Sequence, residues 1–265
     1  MNVVNFCGAS PASVQKVQEF VAHATNVNCT AVSPLTGQVL ATGGDDKKVN
    51  VWRVGSSSSV WSFGGNSSSV EKVCFDSEEQ FLVSGAKGGS LKVFDLTEGK
   101  LSRSLPGHRS NVTSLHYHPF GEFVVSGSVD TNVKIWDVRK KNEILAFKGH
   151  EKDITAVRFS PDGRWVASAA KNGTFKLWDL TSGKQLHSWA LPKNVHMTSL
   201  CFNPSEFILA AATTERVVRL YDMETFELMA STTPESGHTV RAVAFNTSGD
   251  TLLTGTPDAL RAWTW

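Results

Sequence analysis

Apolar and polar residues alternate along the chain in short runs, and turn-forming residues separate one run from the next. Val133-Lys134-Ile135-Trp136 alternates in this way, and Phe123 to Ser126 is a run of β-branched and aromatic residues. Alternation with a period of two predicts half-buried β-strands, because successive side chains of a strand point to opposite faces. Such runs recur about every ten residues without a helical period, which predicts an all-β protein.

An aromatic residue that ends an apolar strand recurs along the chain at intervals of 42 or 43 residues. These residues are Trp52, Phe94, Trp136, Trp178, Tyr221 and Trp263. Upstream of each one, a Gly-His pair or its substitute is followed by a first strand, a turn, a second strand and a tight turn. A four-stranded unit of about 40–45 residues with Gly-His and Trp-Asp marks is typical of WD-repeat propeller blades. The chain resembles this family over about residues 16–265.

Six repeats predict a closed propeller of six four-stranded blades, formed by residues 14–265 after an N-terminal tail at residues 1–13. In this family a strand from the start of the chain completes the last blade, and we expect residues 14–21 to be that strand. Leu260 to Trp265 would be the third strand of the same blade. Closure removes two open sheet edges, which would otherwise invite aggregation. The alternative is a seven-bladed propeller whose degenerate last blade is missing from this chain.

The resemblance also accounts for polar residues that could suggest catalysis. In WD-repeat blades the Gly-His histidine, a Ser or Thr of the second strand, the turn Asp and the third-strand Trp form a buried hydrogen-bond network. We expect this network at His23, Thr42, Asp46 and Trp52, at His108, Ser126, Asp130 and Trp136, and at His150, Ser168 and Trp178. Repeat four has Asn172 in place of the Asp, and repeat two has Asn66 in place of the histidine. Because the set recurs, it indicates a structural role rather than a Ser-His-Asp hydrolase.

Composition and charge limit the classes of partner. Hydrophobic residues make up 40% of the chain, and 26 Lys and Arg against 25 Asp and Glu leave a formal net charge of +1. A near-neutral chain is a poor electrostatic match for nucleic acid or for an acidic membrane. The sequence has no apolar stretch near the ~18 residues of a transmembrane helix and no secretory signal at its N-terminus. We therefore expect a soluble intracellular protein that binds other proteins, and neither nucleic acid nor membrane.

Motifs for metal, cofactor or catalytic chemistry are absent from the sequence. The four cysteines, Cys7, Cys29, Cys74 and Cys201, are too far apart for a metal-binding pair, and we expect reduced thiols. There is no phosphate-binding loop, no His-Glu-x-x-His and no Cys-x-x-Cys. We therefore predict no catalytic residues, no metal and no cofactor. An enzyme on this fold would need a cluster of non-repeated polar residues in the central channel, and the sequence indicates none.

Four segments, at residues 19–27, 43–52, 118–141 and 159–184, closely resemble the propeller of katanin's WD-repeat regulatory subunit. That resemblance implies a non-catalytic targeting propeller of a microtubule-severing complex, in the cytoplasm and cytoskeleton, at centrosomes, spindle poles or basal bodies. It implies two partners, microtubules or tubulin and a catalytic AAA ATPase that is bound mainly through a C-terminal domain absent here. The alternative is a WD scaffold of another complex, such as a centriolar protein or a ubiquitin-ligase substrate receptor.

The loops before the first strands and between the second and third strands are expected at one end of the propeller, which we call the top face. Its candidate partner-binding residues are Asp45, Lys47, Lys48, Lys87, Val129, Asp153, Lys171, His196 and Arg216. The lysines and the arginine would make the rim locally basic, which suits an acidic partner segment such as a tubulin tail. The alternative is that these are solvated turn lysines without a partner.

Overall fold

The computed structural model describes residues 2–3, 19–232 and 238–264 of the chain. Within these residues the chain forms 24 β-strands and no helix, and the strands make six antiparallel sheets of four. The predicted all-β fold with six four-stranded blades is therefore confirmed. No helix that could span a membrane occurs in the described part of the chain.

Five of the sheets are each built from four consecutive strands. Blade one contains β2 (Val27–Val32), β3 (Val39–Gly44), β4 (Val49–Arg53) and β5 (Ser59–Phe63), and blade two contains β6 (Val70–Phe75), β7 (Phe81–Ala86), β8 (Leu91–Asp95) and β9 (Lys100–Leu105). Blade three contains β10 (Val112–Tyr117), β11 (Phe123–Ser128), β12 (Val133–Asp137) and β13 (Glu143–Phe147). Blade four contains β14 (Ile154–Phe159), β15 (Trp165–Ala170), β16 (Thr174–Asp179) and β17 (Gln185–Ala190), and blade five contains β18 (Met197–Phe202), β19 (Ile208–Thr213), β20 (Val218–Asp222) and β21 (Leu228–Ser231).

The sixth sheet combines the two ends of the described chain. Its strands are β22 (Ala242–Phe245), β23 (Thr251–Gly255), β24 (Leu260–Thr264) and β1 (Asn2–Val3). β1 pairs antiparallel with β24, with Asn2 opposite Thr264 and Val3 opposite Trp263. The closing strand was predicted at residues 14–21, of which 14–18 lie outside the described residues and 19–21 are not in a strand. The edge of β24 is instead occupied by residues that we expected to be part of a tail.

Apolar side chains are buried between the faces of neighbouring blades. Val83 and Val93 of blade two, for example, share one buried cluster with Leu115 and Val124 of blade three. Second strands such as β11 are buried along almost their whole length, because a blade covers each of their faces. The outermost strands are much more exposed, and β21 is exposed at every position.

Small residues allow the blades to approach closely near the central channel. A Cβ atom added at Gly127 of β11 would lie 2.4 Å from Ile154 Cγ2 on the next blade. Hydroxyl groups then join the first strands around the ring. Thr113 Oγ1 donates to the Ile154 carbonyl at 2.6 Å, and Thr198 Oγ1 donates to the Val240 carbonyl at 2.6 Å. These contacts fix the wall of the channel.

Candidate functional site

The top face is built from pairs of loops that are joined by equivalent backbone hydrogen bonds. In five blades, the residue before the turn-Asp position donates its N–H to the carbonyl of the residue just before the first strand. The pairs are Asp45 with Asn26, Lys87 with Ser69, Val129 with Asn111, Lys171 with Asp153, and Thr214 with His196, at 2.9–3.0 Å. The repeated bond holds both loops of each blade in one layer, and the candidate partner-binding residues lie on this layer.

Below this layer, blade one places its four network residues in one buried chain. The Trp52 indole N–H donates to Thr42 Oγ1 at 3.0 Å, and His23 Nε2 lies 2.9 Å from the same oxygen. His23 Nδ1 lies 2.8 Å from Asp46 Oδ1. A carboxylate only accepts hydrogen bonds, so the His23 proton is on Nδ1 and Nε2 accepts from the Thr42 hydroxyl. In this arrangement both ring nitrogens of His23, the Thr42 hydroxyl and the Trp52 indole N–H each have a hydrogen-bond partner.

Blade three repeats the same geometry with a serine. Trp136 Nε1 donates to Ser126 Oγ at 2.7 Å, and His108 Nε2 lies 2.6 Å from that oxygen. His108 Nδ1 lies 2.9 Å from Asp130 Oδ2. The same carboxylate also accepts the Arg109 N–H at 2.9 Å, which ties the loop before the first strand to the turn. The network therefore supports the top face from beneath.

Blade four completes the network with a residue that the sequence reasoning missed. Ser168 Oγ accepts from Trp178 Nε1 at 2.8 Å and lies 2.7 Å from His150 Nε2, as in the other blades. His150 Nδ1 lies 3.3 Å from Thr174 Oγ1, and the Thr174 hydroxyl donates to Asn172 Oδ1 at 2.7 Å. Thr174 thus relays the hydrogen bond to Asn172, which stands where the other two blades have an aspartate.

Blade two carries only the remains of the network. Asn66 stands where the histidine would be, and Phe94 stands where the Trp would be. Ser84 Oγ and Asn66 Oδ1 are both buried without a hydrogen-bond partner. In blade six the hydroxyl and tryptophan remain together, because Trp263 Nε1 donates to Thr254 Oγ1 at 3.0 Å. Ser236, the residue at the histidine position of that blade, lies outside the described residues.

Burial favours the neutral form of two of the network histidines, His108 and His150, because it lowers the pKa of each. Burial lowers the pKa of His108, although Asp130 acts in the opposite direction. Burial raises the pKa of Asp130, but the hydrogen bonds from the Arg109 N–H and from His108 outweigh it and leave that pKa below its usual value. His150 has no carboxylate partner, so burial, with Lys176 acting in the same direction, lowers its pKa to about 4. The hydrogen-bonding atoms of these side chains are used within the fold.

The charges of the top face are unevenly compensated. Lys47, Lys48, Lys87 and Arg216 are exposed, and within the described residues they form no ion pair. Lys171 differs from them, because its Nζ lies 2.7 Å from Asp153 Oδ2. The cations of blades one and two, which form no ion pair among the described residues, are therefore the stronger candidates for contact with an acidic partner, and Lys171 is the weaker one.

Acidic and uncharged residues complete the top face. Asp45 accepts from the side-chain amides of Asn28 and Asn26 at 2.7 and 3.1 Å, and these bonds lower its pKa. Val129 and His196 are half-buried. The backbone N–H of His196 donates a hydrogen bond to Thr214 Oγ1 at 3.2 Å. Their half-buried side chains offer a partner less surface than the exposed lysines do.

Two of the rim cations occupy a backbone position that suits glycine best. The residue after the turn-Asp position is left-handed in five blades, with glycine at Gly89 (φ 86°) and Gly173 (φ 81°). Lys47 and Arg216 hold the same position at φ 66° and 68°. A left-handed residue other than glycine costs roughly 1–2 kcal/mol. Lys47 and Arg216 therefore occupy these turn positions at a cost in backbone conformational energy that a glycine would not have.

The central channel contains residues that the sequence reasoning missed. A cavity of about 500 Å³ lies between the first strands of the six blades, and Lys72, Arg158 and Arg241 line it. The prediction that the channel lacks a cluster of non-repeated polar residues is therefore wrong. Each of the three is unlike its counterparts in the other repeats, which are mostly Thr, Ser, Ala or Cys. An alignment of the six first strands against one another would have found them.

Metal ligation finds no support in the side-chain arrangement. No group of three or more His, Cys, Asp or Glu side chains is placed to hold a metal ion in the part of the chain that the structure describes. The cysteines Cys29, Cys74 and Cys201 are free thiols. Burial raises the pKa of Cys29 to about 11 and that of Cys74 to about 12, so neither is a reactive thiolate near pH 7.

Comparisons with known proteins match this architecture. A family profile described as "Nucleolar protein 10-like, N-terminal domain" matches residues 68–263, more than half of the chain. A second profile, described as "WD domain, G-beta repeat", matches residues 14–53. Together the two profiles cover the first three strands of blade one and nearly all of the described strands from blade two onward.

Among similar curated proteins, katanin p80 WD40 repeat-containing subunit B1 homolog KTN80.2 of Arabidopsis thaliana is 46% identical over 74 residues. That match covers 28% of this chain and 6% of the relative. Katanin p80 WD40 repeat-containing subunit B1 of Danio rerio is 40% identical over 77 residues, which is 29% of this chain and 11% of the relative. Periodic tryptophan protein 2 of Arabidopsis thaliana is 35% identical over 78 residues, 29% of this chain and 9% of that protein. The matches thus span about a tenth or less of each relative's length.

Proposed function

Because the chain belongs to the β-propeller family described as Nucleolar protein 10-like, N-terminal domain, and carries WD repeats, we propose that it is a non-catalytic protein-interaction platform. More specifically, we propose that it acts in a katanin-type microtubule-severing complex, where it recruits or regulates an AAA ATPase at centrosomes, spindle poles or basal bodies. The observation that carries this proposal is the 40–46% identity to katanin p80 WD40 subunits.

The arrangement of polar residues supports a platform rather than an enzyme. The histidines, the hydroxyls and the turn carboxylates form buried networks in blades one and three, and blade four keeps the same network with Thr174 and Asn172. A nucleophile and base would have to lie within hydrogen-bond reach of each other and of a substrate. The side chains that meet the first condition, such as His108 and Ser126, are buried, and Ser126 Oγ also accepts the indole N–H of Trp136.

The top rim supports an acidic partner segment as the ligand of the platform. Lys47, Lys48 and Lys87 are neighbours on blades one and two, are exposed and have no ion pair among the described residues. Lys47 also occupies a left-handed turn position at an energetic cost. An acidic tail, such as that of tubulin, would gain electrostatic attraction at this rim and would lose it in salt.

The proposal is tested by affinity purification of the tagged full chain from cells, followed by mass spectrometry and by binding to microtubules at two salt concentrations. One variant combines Lys47→Glu, Lys48→Glu and Lys87→Glu. Lys171 is left unchanged, because a glutamate there would repel Asp153 and confound the result. The charge-matched control combines Arg53→Glu, Lys141→Glu and Lys184→Glu, three exposed cations at the opposite face that form no ion pair among the described residues.

We expect the wild-type chain and the control to recover an AAA ATPase and to bind microtubules more weakly as salt rises. The rim variant should bind microtubules at least several-fold more weakly than the control. Recovery of the ATPase with equal microtubule binding by both variants would refute the rim as the docking surface. Absence of any ATPase would refute the assignment to a katanin-type complex.

A second candidate is a platform in a different complex. The family profile names a nucleolar protein, and it covers far more of the chain than the katanin relatives do. Under this candidate the same purification would recover a set of nucleolar proteins without an AAA ATPase of the severing type, and the tagged chain would concentrate in nucleoli. The centriolar and ubiquitin-ligase alternatives would be recognised by their own partners in the same experiment.

A further inference from the structure

Three cationic side chains line the central channel, and no acidic side chain lines it among the described residues. Lys72 of blade two, Arg158 of blade four and Arg241 of blade six line the channel, and its described lining contains no Asp or Glu. Within the described residues, none of the three cations forms an ion pair. Glu71 is the carboxylate nearest to these cations in sequence, and it raises the pKa of the Cys29 thiol in the channel. Lys72 lowers the same pKa by more than Glu71 raises it. The charged side chains of the described cavity lining are therefore all cationic.

Arg158 is the least exposed of these cations. Its Nη1 donates to the Val157 carbonyl at 2.9 Å, and no other protein acceptor is present among the described residues. Arg158 is half-buried, and its accessible surface lines the channel. Burial lowers the pKa of its guanidinium. A guanidinium presents five N–H donors, so most of its donors are free for a ligand.

The side chains around Arg158 are uncharged. Cys74 and Cys201, from blades two and five, are buried thiols with raised pKa values. His116, from blade three, accepts the Phe159 N–H at its Nδ1, so that nitrogen carries no proton. A buried charge without a partner is costly, and folded proteins rarely retain one without a use. An anion that enters the channel would supply the missing charge.

The three cations are staggered along the channel. Arg241 directly precedes β22 and follows Val240 by one position, whereas Lys72 follows Val70 by two positions and Arg158 follows Ile154 by four. A strand rises about 3.3 Å per residue, so this stagger of three positions spreads the backbone attachment points of the cations over about 10 Å. One orthophosphate ion is too small to reach all three, whereas an anion with several linked phosphate groups spans this distance.

We propose that the central channel binds a small oligophosphate, whose phosphate groups are held in turn by Arg241, Lys72 and Arg158. Hydroxyl groups of Thr30 and Ser199 also line the cavity and can donate to phosphate oxygens. A volume of about 500 Å³ lies within the usual range of small-molecule sites. Guanidinium and ammonium groups together with hydroxyls are a donor set that suits phosphate oxygens. The site is separate from the rim cations and does not depend on the proposed function.

The test measures binding of inorganic tripolyphosphate to the full chain by isothermal titration calorimetry and by thermal shift, at pH 7 and constant ionic strength. Orthophosphate, ATP without magnesium and inositol hexakisphosphate are compared with it, to separate a linear phosphate chain from a nucleotide and from a compact polyphosphate. We expect saturable one-to-one binding of tripolyphosphate and a raised melting temperature, with orthophosphate at least tenfold weaker.

The central variant is Arg158→Met, and its control is Arg164→Met, an arginine of the same blade whose side chain is 79% exposed. We expect Arg158→Met to keep or raise the melting temperature without ligand, because it removes an uncompensated charge. It should weaken tripolyphosphate binding about tenfold or more, as the loss of a charge-assisted hydrogen bond predicts. A purely structural arginine would instead lower the melting temperature of the ligand-free protein.

Two further variants protect the test against a folding defect. Lys72→Gln and Arg241→Gln change exposed side chains and should each weaken binding, while the triple rim variant described above should not. No saturable binding, equal affinity of the Arg158→Met and Arg164→Met proteins, or loss of binding only in the rim variant would overturn the proposal. Equal competition by a short polyglutamate peptide would also overturn it, because the ligand would then be an acidic peptide.

Discussion

Ser126 and Ser84 occupy the same position of the second strand in neighbouring blades, and they test whether the hydrogen-bond network stabilises the propeller. Ser126 Oγ is bonded to both His108 and Trp136. Ser84 Oγ is buried without a partner. Both residues are completely buried, so the change of Ser to Ala removes the same atom from the same kind of environment.

The expected effects have opposite signs. Ser126→Ala strands the Nε2 atom of His108 and the indole N–H of Trp136, and each buried group that loses its partner costs about 1–3 kcal/mol. The free energy of unfolding should therefore fall by about 2–6 kcal/mol. At about 2.1 cal/mol/K per residue for the entropy of unfolding, a chain of 265 residues would lose about 4–11 °C in Tm. Ser84→Ala removes a desolvated hydroxyl and should leave stability unchanged or raise it by up to about 1 kcal/mol.

The measurement is equilibrium denaturation in urea at pH 7, with tryptophan fluorescence as the probe, for the wild-type chain and both variants. A change in the midpoint at constant slope reports stability alone. Equal losses in the two variants would refute the reasoning, because the network would then contribute nothing beyond the packing of a serine. A Ser126→Ala variant with the same free energy of unfolding as the wild-type chain would refute the reasoning more directly.

Two further predictions concern pH and backbone geometry. The pKa of His150 is about 4 in the folded chain and about 6.5 in the unfolded chain, so between these pH values the unfolded state binds one more proton than the folded state. The free energy of unfolding should therefore fall by up to about 3 kcal/mol as the pH drops from 6.5 to 4. In urea denaturation, His150→Gln should make the free energy of unfolding less dependent on pH over this range. Gly89→Ala should cost at least about 2 kcal/mol, because φ is 86° and the new Cβ would lie 2.4 Å from the His108 carbonyl oxygen, whereas Gly64→Ala meets no atom within 4 Å and should be nearly neutral in the same assay.

The repeating part of the fold could be predicted from the sequence because each blade is a local unit. Trp136 and its five counterparts mark the third strand of every blade, and alternation of apolar residues marks the strands beside it. Six sheets follow from six such units. The closing pair of Asn2–Val3 with β24 could not be predicted, because a strand of two residues has no periodicity and its partner lies at the far end of the chain.

The site was less accessible to sequence reasoning than the fold. His108 and Ser126 could be placed from the repeat alone, since their spacing recurs. Thr174 could not, because its relay to His150 depends on where one hydroxyl points rather than on a repeated residue type. Arg158 was missed for another reason. Its significance arises only when six strands from six repeats meet around one axis, and no single repeat contains that information.

The sixth sheet also sets an order of events during synthesis. Each of the first five blades consists of consecutive strands and can form soon after its last strand leaves the ribosome, because its contacts are local. Asn2–Val3 is synthesised before blade one, yet its partner β24 follows all the other described strands. The open edges of the unfinished ring must therefore persist until β24 has been made. Protection of those edges by a chaperone during that interval would favour closure of the ring over aggregation.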